Sequence, residues 1–362
     1  MGVLNSTGQL SLAGTTVGQS IQVALNGTGT ATIAINATGV LALRGNTTQT
    51  NIIIPTDFYS KISPTCRAIF MYGNIGSTTT GSTVNTTNLV STAGVVAANG
   101  TAAGTARNNT AAATYGYDKG IVGFGFTTTT TGTTNLVTNA GAVGTDVAAV
   151  GSNRQAVAAC RYNNNLAIFA FGYFTSAVST QNLVNSSGVV ATDTTATAQA
   201  RYGPTGLTYG FDKGIFFGGQ SLPTSGTQYN TSNLVSTGGV IAGNVSSAGS
   251  ARYLVGSSTY GFDKGIFQGG NIAAATGISN LVSNVGVIAS DTAAVAASAY
   301  FGRAGSQFGF TGQGIIGFGI VSPTVQNVTN LISNVGVVAT GAGSVGQARA
   351  RLACCGYAVQ QA

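Results

Sequence analysis

The chain has 362 residues, of which 54 are Gly and only 6% are charged, and it holds no His, Trp or Glu. That length suits two domains or one large all-β domain, and the absence of His excludes Ser-His and Cys-His nucleophilic catalysis. The net charge of +7 is spread over 14 basic residues with no two adjacent, which excludes the clustered basic stripe of a nucleic-acid footprint.

In chain order, Met1 to Ser6 lacks the charged start and apolar core of a secretory signal. Gly2 and Ser6 fit the short myristoylation pattern, which chance also produces. No run of about 18 apolar residues occurs, so membrane insertion is not expected. Residues 1–62 carry short alternating runs, such as Ile21-Gln22-Val23-Ala24-Leu25 and Thr32-Ile33-Ala34-Ile35, separated by Gly, Asn and Thr clusters. Period-two alternation is what half-buried strands need. The expectation is a small β-rich domain of four or five strands. Its core is thin for a free domain, and it serves for attachment or oligomerisation. Asn-x-Ser/Thr triplets, as at Asn5, Asn46 and Asn108, read as turn chemistry.

From residue 63 to 362 one unit repeats. In its clearest copy Arg201-Tyr202 precedes Tyr209-Gly210-Phe211-Asp212-Lys213-Gly214-Ile215-Phe216-Phe217-Gly218-Gly219, then Asn233-Leu234-Val235-Ser236, then Gly239-Val240-Ile241-Ala242. The Asn-Leu-Val/Ile triplet starts at Asn88, Asn135, Asn182, Asn233, Asn280 and Asn330, at spacings of 47, 47, 51, 47 and 50 residues. A period of this size with several short strands is a propeller-blade signature. Four strands per unit are expected. The first runs from the Arg-Tyr region, the second on the lead Ile (69, 121, 168, 215, 266, 315), the third on Asn-Leu-Val and the fourth on Gly-Val/Ile-Val/Ile-Ala.

Arg107, Arg154, Arg201 and Arg252 each stand 14 residues before the lead Ile of their unit. Fourteen residues beyond the next such arginine, Arg349, is position 363, so Leu352 to Val359 is a first strand with no second strand after it. Ile69 and Phe70 have the complementary lack of a first strand. The C-terminal strand, with Leu352 and Tyr357, therefore closes a six-bladed ring and leaves no open sheet edge there. Cys66 would then lie near Cys354 or Cys355. Cys66, Cys160, Cys354 and Cys355 match no zinc or disulfide spacing and read as small buried hydrophobes.

Seven Asp are the only acids. Asp118, Asp212 and Asp263 recur before Lys119, Lys213 and Lys264, and Asp146, Asp193 and Asp291 recur 11 residues after their Asn-Leu-Val asparagine. Acids that repeat unit after unit suit turns, whereas acid–base catalysis needs a pair in contrasting environments. No enzyme activity, cofactor or metal site is expected. Gly312 to Gly317 spells G-x-G-x-x-G but lies on a repeat strand, not at a helix start, so it carries no nucleotide-binding expectation. The register arginines Arg107, Arg154, Arg201 and Arg252 are candidates either for an anion or sulfated-glycan site or for bonds to blade carbonyls and turn Asp. The sixth unit has Phe301 at that register, with Arg303 nearby, so the ring of arginines is uneven. Tyr229, in a connector, is a candidate for stacking on sugar.

The Arg-to-Lys213-Gly214-Ile215-Phe216-Phe217-Gly218-Gly219 order resembles a kelch repeat, whose strand ends in a double glycine. The later Trp of that family is absent, and the double Gly is intact only at 218–219 and 269–270. Tyr-Gly-Phe-Asp-Lys-Gly-Ile-Phe with Asn-Leu-Val-Ser-Asn-Val-Gly-Val is similar to repeats of tailed-bacteriophage particle proteins. Thr7 to Leu12 and Pro55 to Lys61 also resemble a phage structural segment, with Ser60 where Gly is common. These resemblances imply a phage virion protein: a tail, neck or fibre component with a β-rich attachment domain and a six-bladed kelch-like propeller. The implied partners are other virion proteins through residues 1–62 and like copies in a homo-oligomer. The alternative is an adhesin whose connectors bind a host receptor or surface glycan.

Overall fold

A computed structural model describes residues 3–4, 10–11, 65–76, 81–293 and 299–359. The chain separates into two units, Met1–Ile62 and Ser63–Ala362. In the first, Val3–Leu4 pairs antiparallel with Leu10–Ser11. The other strands expected in residues 1–62 lie outside the described residues.

The second unit is a six-bladed β-propeller. Blade 4 is typical, with Thr205–Tyr209 innermost, then Lys213–Phe217, Thr231–Val235 and the two-residue outer strand Val245–Ser246. The second strand is buried on both faces after Lys213, because it lies between two neighbouring blades. Its composition is accordingly a continuous apolar run and not an alternation. Blades 3 and 6 repeat this four-stranded order. Among the described residues, blade 2 (Ala111–Tyr115, Lys119–Phe126, Thr130–Val137) and blade 5 (Gly256–Tyr260, Lys264–Gln268, Ser279–Val282) have three strands, with single bridges Thr134–Val147 and Ser279–Thr292 at the outer place.

Blade 1 is built from both ends of the repeat region. Ala353–Val359 pairs antiparallel with Thr65–Met71, placing Cys354 opposite Phe70, Cys355 opposite Ile69 and Tyr357 opposite Arg67. Thr86–Val90 and Gly100–Thr101 complete that sheet. Ring closure is therefore as the register required. The expected proximity of Cys66 to Cys354 or Cys355 does not hold: the strand carries Cys66 three and four residues beyond their partners, and all four thiols are free and buried.

The fourth strand expected on Gly-Val/Ile-Val/Ile-Ala is also corrected. After each Asn-Leu-Val the chain makes a tight turn, and the returning segment touches its sheet through one bridge, as at Val90–Val96 and Val235–Ile241. In blade 1 the Ser91 hydroxyl accepts from Val95 N at 3.1 Å, while Gly94 N donates to Ser91 O at 3.0 Å. Thr138, Asn185, Ser236, Ser283 and Ser333 form the same turn. A short polar side chain competing for backbone groups favours a turn over a ladder. The outer strand comes later in the chain.

The core is distributed between blades. Six hydrophobic clusters of described residues occupy the six seams. Ring pairs with centroids 4.9–5.3 Å apart fill four of these seams: Phe70–Phe318, Phe124–Phe169, Phe171–Phe216 and Phe217–Phe267. Phe70–Phe318 joins the first blade to the last.

Candidate functional site

Six arginines sit in one kind of socket, each on the segment between two blades. Arg154 is representative. Its Nε donates to Phe171 O of blade 3 at 2.9 Å, its Nη2 donates to Asn182 Oδ1, and its guanidinium lies 4.1 Å over the Phe124 ring of blade 2. Five of the six, all but Arg303, thus grip the blade ahead through hydrogen bonds and the blade behind through the π face. Arg107 repeats this with Phe124 O (3.0 Å), Asn135 (2.6 Å) and Tyr72. Arg201 uses Gly218 O, Thr231 O, Asn233 and Phe171, and Arg252 uses Gly269 O, Asn280 and Phe217. Arg349 spans the closing seam, with its Nε on Tyr72 O at 2.8 Å and Phe318 beneath it. There Nη2 of Arg349 and Oδ1 of Asn88 make no hydrogen bond.

The aromatic under four of the arginines stands where the double glycine begins. Tyr72, Phe124, Phe171 and Phe318 have φ between 60° and 64°, and Gly218 and Gly269 hold the same place in blades 4 and 5. A left-handed aromatic is strained. The stacked guanidinium and the carbonyl bonded to the blade's own arginine keep it there. Where Gly replaces it, Arg252 stacks on Phe217 and Arg303 on Tyr300. The second position is Gly in every blade. At Gly125, φ is +120° and a Cβ would meet Asn108 O at 2.5 Å.

The sixth socket corrects the uneven ring. The turn between Ala304–Phe308 and Gln313–Gly317 holds one more residue than its counterparts, so counting back from Ile315 lands one place off. Tyr300, four residues before that strand, is the positional match of the arginines, and its carbonyl accepts from Gly270 N as Arg252 O accepts from Gly219 N. Arg303 reaches back and fills the socket, donating to Phe318 O, Ile316 O and Asn330 Oδ1.

The triplet asparagine is the functional residue that unit counting missed. Asn88, Asn135, Asn182, Asn233, Asn280 and Asn330 are all fully buried, and each donates to the carbonyl nine residues on. Their amides also bond Asp146, Asp193 and Asp291, or Asn99 and Asn244, 11 residues on. Those acceptors tie back to the residue two before the same blade's own arginine. Ser or Thr pairs with Asp (Thr105, Ser152, Ser250), whereas Gln pairs with Asn (Gln199, Gln347). This matched exchange of partners between units was the available signal.

Burial pulls the guanidinium pKa values down, to about 10 at Arg154, Arg201 and Arg252 and to about 9 at Arg303 and Arg349. Asp193 and Asp291 oppose this at Arg154 and Arg252, with N–O distances of 3.5 and 3.8 Å. Burial raises the pKa of Asp146, Asp193 and Asp291, but hydrogen bonds from Thr105 or Ser, from asparagine and from backbone N–H, with the nearby arginine, outweigh it and leave all three below the usual value. A depressed folded pKa contributes stability that is present above the unfolded value and lost as pH falls through the folded one. Thermal melts should therefore lose Tm once the pH drops below about 4, the unfolded carboxylate value. The loss should shrink in the D146N/D193N/D291N variant, because Asn already serves at this place in blades 1 and 4.

Two closed backbone rings hold the inner strands at their ends. At the connector end Asn109 N donates to Arg351 O, Ala156 N to Asn109 O, Gly203 N to Ala156 O, Leu254 N to Gly203 O, Gly302 N to Leu254 O and Arg351 N to Gly302 O, at 2.8–3.1 Å. At the hairpin end Ala358, Gly116, Asn163, Gly210, Gly261 and Gly309 donate to Asp118, Asn165, Asp212, Asp263, Gly312 and Cys66, at 2.7–3.0 Å. The first ring donates to the preceding blade and the second to the following one. Asp118, Asp212 and Asp263 lie in this second ring, with side chains 3.4, 2.9 and 2.9 Å from their lysines.

At the connector end Tyr173, Tyr202 and Tyr253 cluster, with centroids 6.0 and 6.3 Å apart. Tyr229 is half-buried, and its carbonyl accepts from Arg252 N. Arg107, Arg154, Arg201 and Arg252 are at most 1% exposed. Among the described residues no group of three His, Cys, Asp or Glu is placed to hold a metal, and no helix is long and apolar enough to cross a membrane. No protein-family profile matches the chain, and no curated protein matches it either; the propeller assignment rests on the sheet arrangement itself.

Proposed function

We propose that this protein is a structural component of a bacteriophage virion, a tail, neck or fibre subunit that displays a rigid propeller and performs contact, not chemistry. The observation that carries this reading is a ring of exposed apolar residues at the hairpin end. Val95, Val189, Val240, Val287 and Val337 occupy the same turn in five blades and are 61–66% exposed. Val285 and Val335 widen the patch in blades 5 and 6. Apolar surface presented once per blade suits burial against neighbouring subunits. The recurrent charged side chains meanwhile are held inside the wall or in turn pairs. Residues 1–62 would anchor the subunit to other virion proteins, with like copies alongside.

Mass spectrometry of purified particles should find the chain, and V240D/V287D should lower its copy number while the isolated protein keeps its Tm. Particles that lack the chain would end this reading. The tyrosine cluster and the connectors favour a second reading, a receptor- or glycan-binding adhesin. Cell binding that is lost on connector swaps, yet kept after removal of residues 1–62, would select it.

A further inference from the structure

The six inner strands surround an axial cavity of ≈ 160 Å³. One water needs only about 10–15 Å³ of such space, so there is room for a solute. Thr114, Arg161, Thr208, Thr259, Gln307 and Gly356 stand at one level of these strands, opposite Gly120, Ala167, Gly214, Gly265, Gly314 and Ala68. The threonines act as staples to the preceding blade. Thr114 Oγ1 donates to Gly356 O at 3.0 Å, Thr208 Oγ1 to Arg161 O at 3.0 Å and Thr259 Oγ1 to Thr208 O at 2.9 Å.

Arg161 and Gln307 break this ladder. They belong to blades 3 and 6, on opposite sides of the axis, and both line the cavity. Gln307 is only 6% exposed, and its Oε1 has no partner. A buried amide left unbonded is costly. Arg161 donates Nη2 to Phe211 O at 3.1 Å. Among the described residues no carboxylate lies within ion-pair distance of it; Asp212, which acts on its charge from further off, is engaged by Lys213 Nζ at 2.9 Å. No Asp or Glu lines the cavity among the described residues.

We propose that the axial cavity binds a small oxyanion between Arg161 and Gln307. The guanidinium fork suits two oxygens of one anion. The Gln307 amide donates to a third oxygen, or accepts from a protonated one through Oε1. The site is independent of any role in a particle.

The test is titration of the full chain with inorganic phosphate, sulfate and acetate at fixed ionic strength, read by calorimetry and by Tm. A saturable response is expected, with affinity at least tenfold weaker in R161Q and in Q307A and unchanged in R67Q. Acetate separates the arms: equal binding assigns the site to carboxylates and phosphates alike, and weaker binding assigns it to tetrahedral anions. If R161Q does not fold, Q307A carries the comparison. No saturable response to any of the three, equal affinity in both cavity variants, or equal loss in R67Q would overturn the proposal.

Discussion

Deletion of residues 352–362 should leave a chain that does not fold cooperatively. The deletion removes the inner strand of blade 1 and bares the edge of Thr65–Met71. It also takes Leu352 and Cys354 from the seam with blade 6, and Ala353, Cys355 and Tyr357 from the seam with blade 2. Fully burying one large apolar side chain is worth about 1.5–3 kcal/mol, and net domain stability is only about 5–15 kcal/mol. The lost packing therefore approaches the whole. Circular dichroism melts should show no sharp transition, and limited proteolysis should cut throughout residues 65–351. A milder lesion, C355D, buries an unpaired carboxylate at the same strand and should lower stability by several kcal/mol. The closing seam also carries the socket in which Arg349 Nη2 and Asn88 Oδ1 lack partners. Hydrogen exchange should therefore find local opening there before the other five seams. A deletion variant with wild-type Tm would mean that the ring does not depend on its closing strand.

R154M should destabilise the propeller by roughly 3 kcal/mol, because it leaves Asn182 Oδ1 and Phe171 O buried without their donor. The desolvation of the guanidinium is relieved at the same time, which keeps the figure below the sum of the lost bonds. For a domain of this size the shift in Tm is about 5–10 °C. R154K should recover little, since a point charge cannot bond two acceptors in the fork geometry or stack on Phe124 as a plane does. The same change at exposed Arg67 should move Tm by less than about 1 °C. R154M with unchanged stability would show the sockets to be incidental.

Much of this propeller is legible in the primary structure, for a physical reason. Each blade must bury a strand on both faces, so Gly-Ile-Phe-Phe and its variants recur as apolar runs, and the turn before them recurs with its Gly and Asp-Lys pair. Counting from Arg349 locates the closing strand because unit lengths are nearly constant. The same counting fails at Arg303, where the Phe308–Gln313 turn holds an extra residue and shifts the register by one. It fails again at Gly-Val-Val-Ala. There the alternation looks like a strand, but the segment lies at the sheet periphery, where Val95 and Val240 face solvent and only one bridge forms.

The amino-acid order alone determined the number of blades, the three inner strands of each and the way the ring closes, because these follow from local periodicity and repeat length. Tertiary structure alone decided which polar groups meet. An arginine between two blades, an asparagine about 28 residues on and an aromatic ring in the preceding blade come together only when neighbouring sheets pack face to face. The placing of Arg161 and Gln307 on opposite walls of the axial cavity is of the same kind. It depends on the angle between blades 3 and 6, which is set by six seams at once and is written in no single stretch of chain.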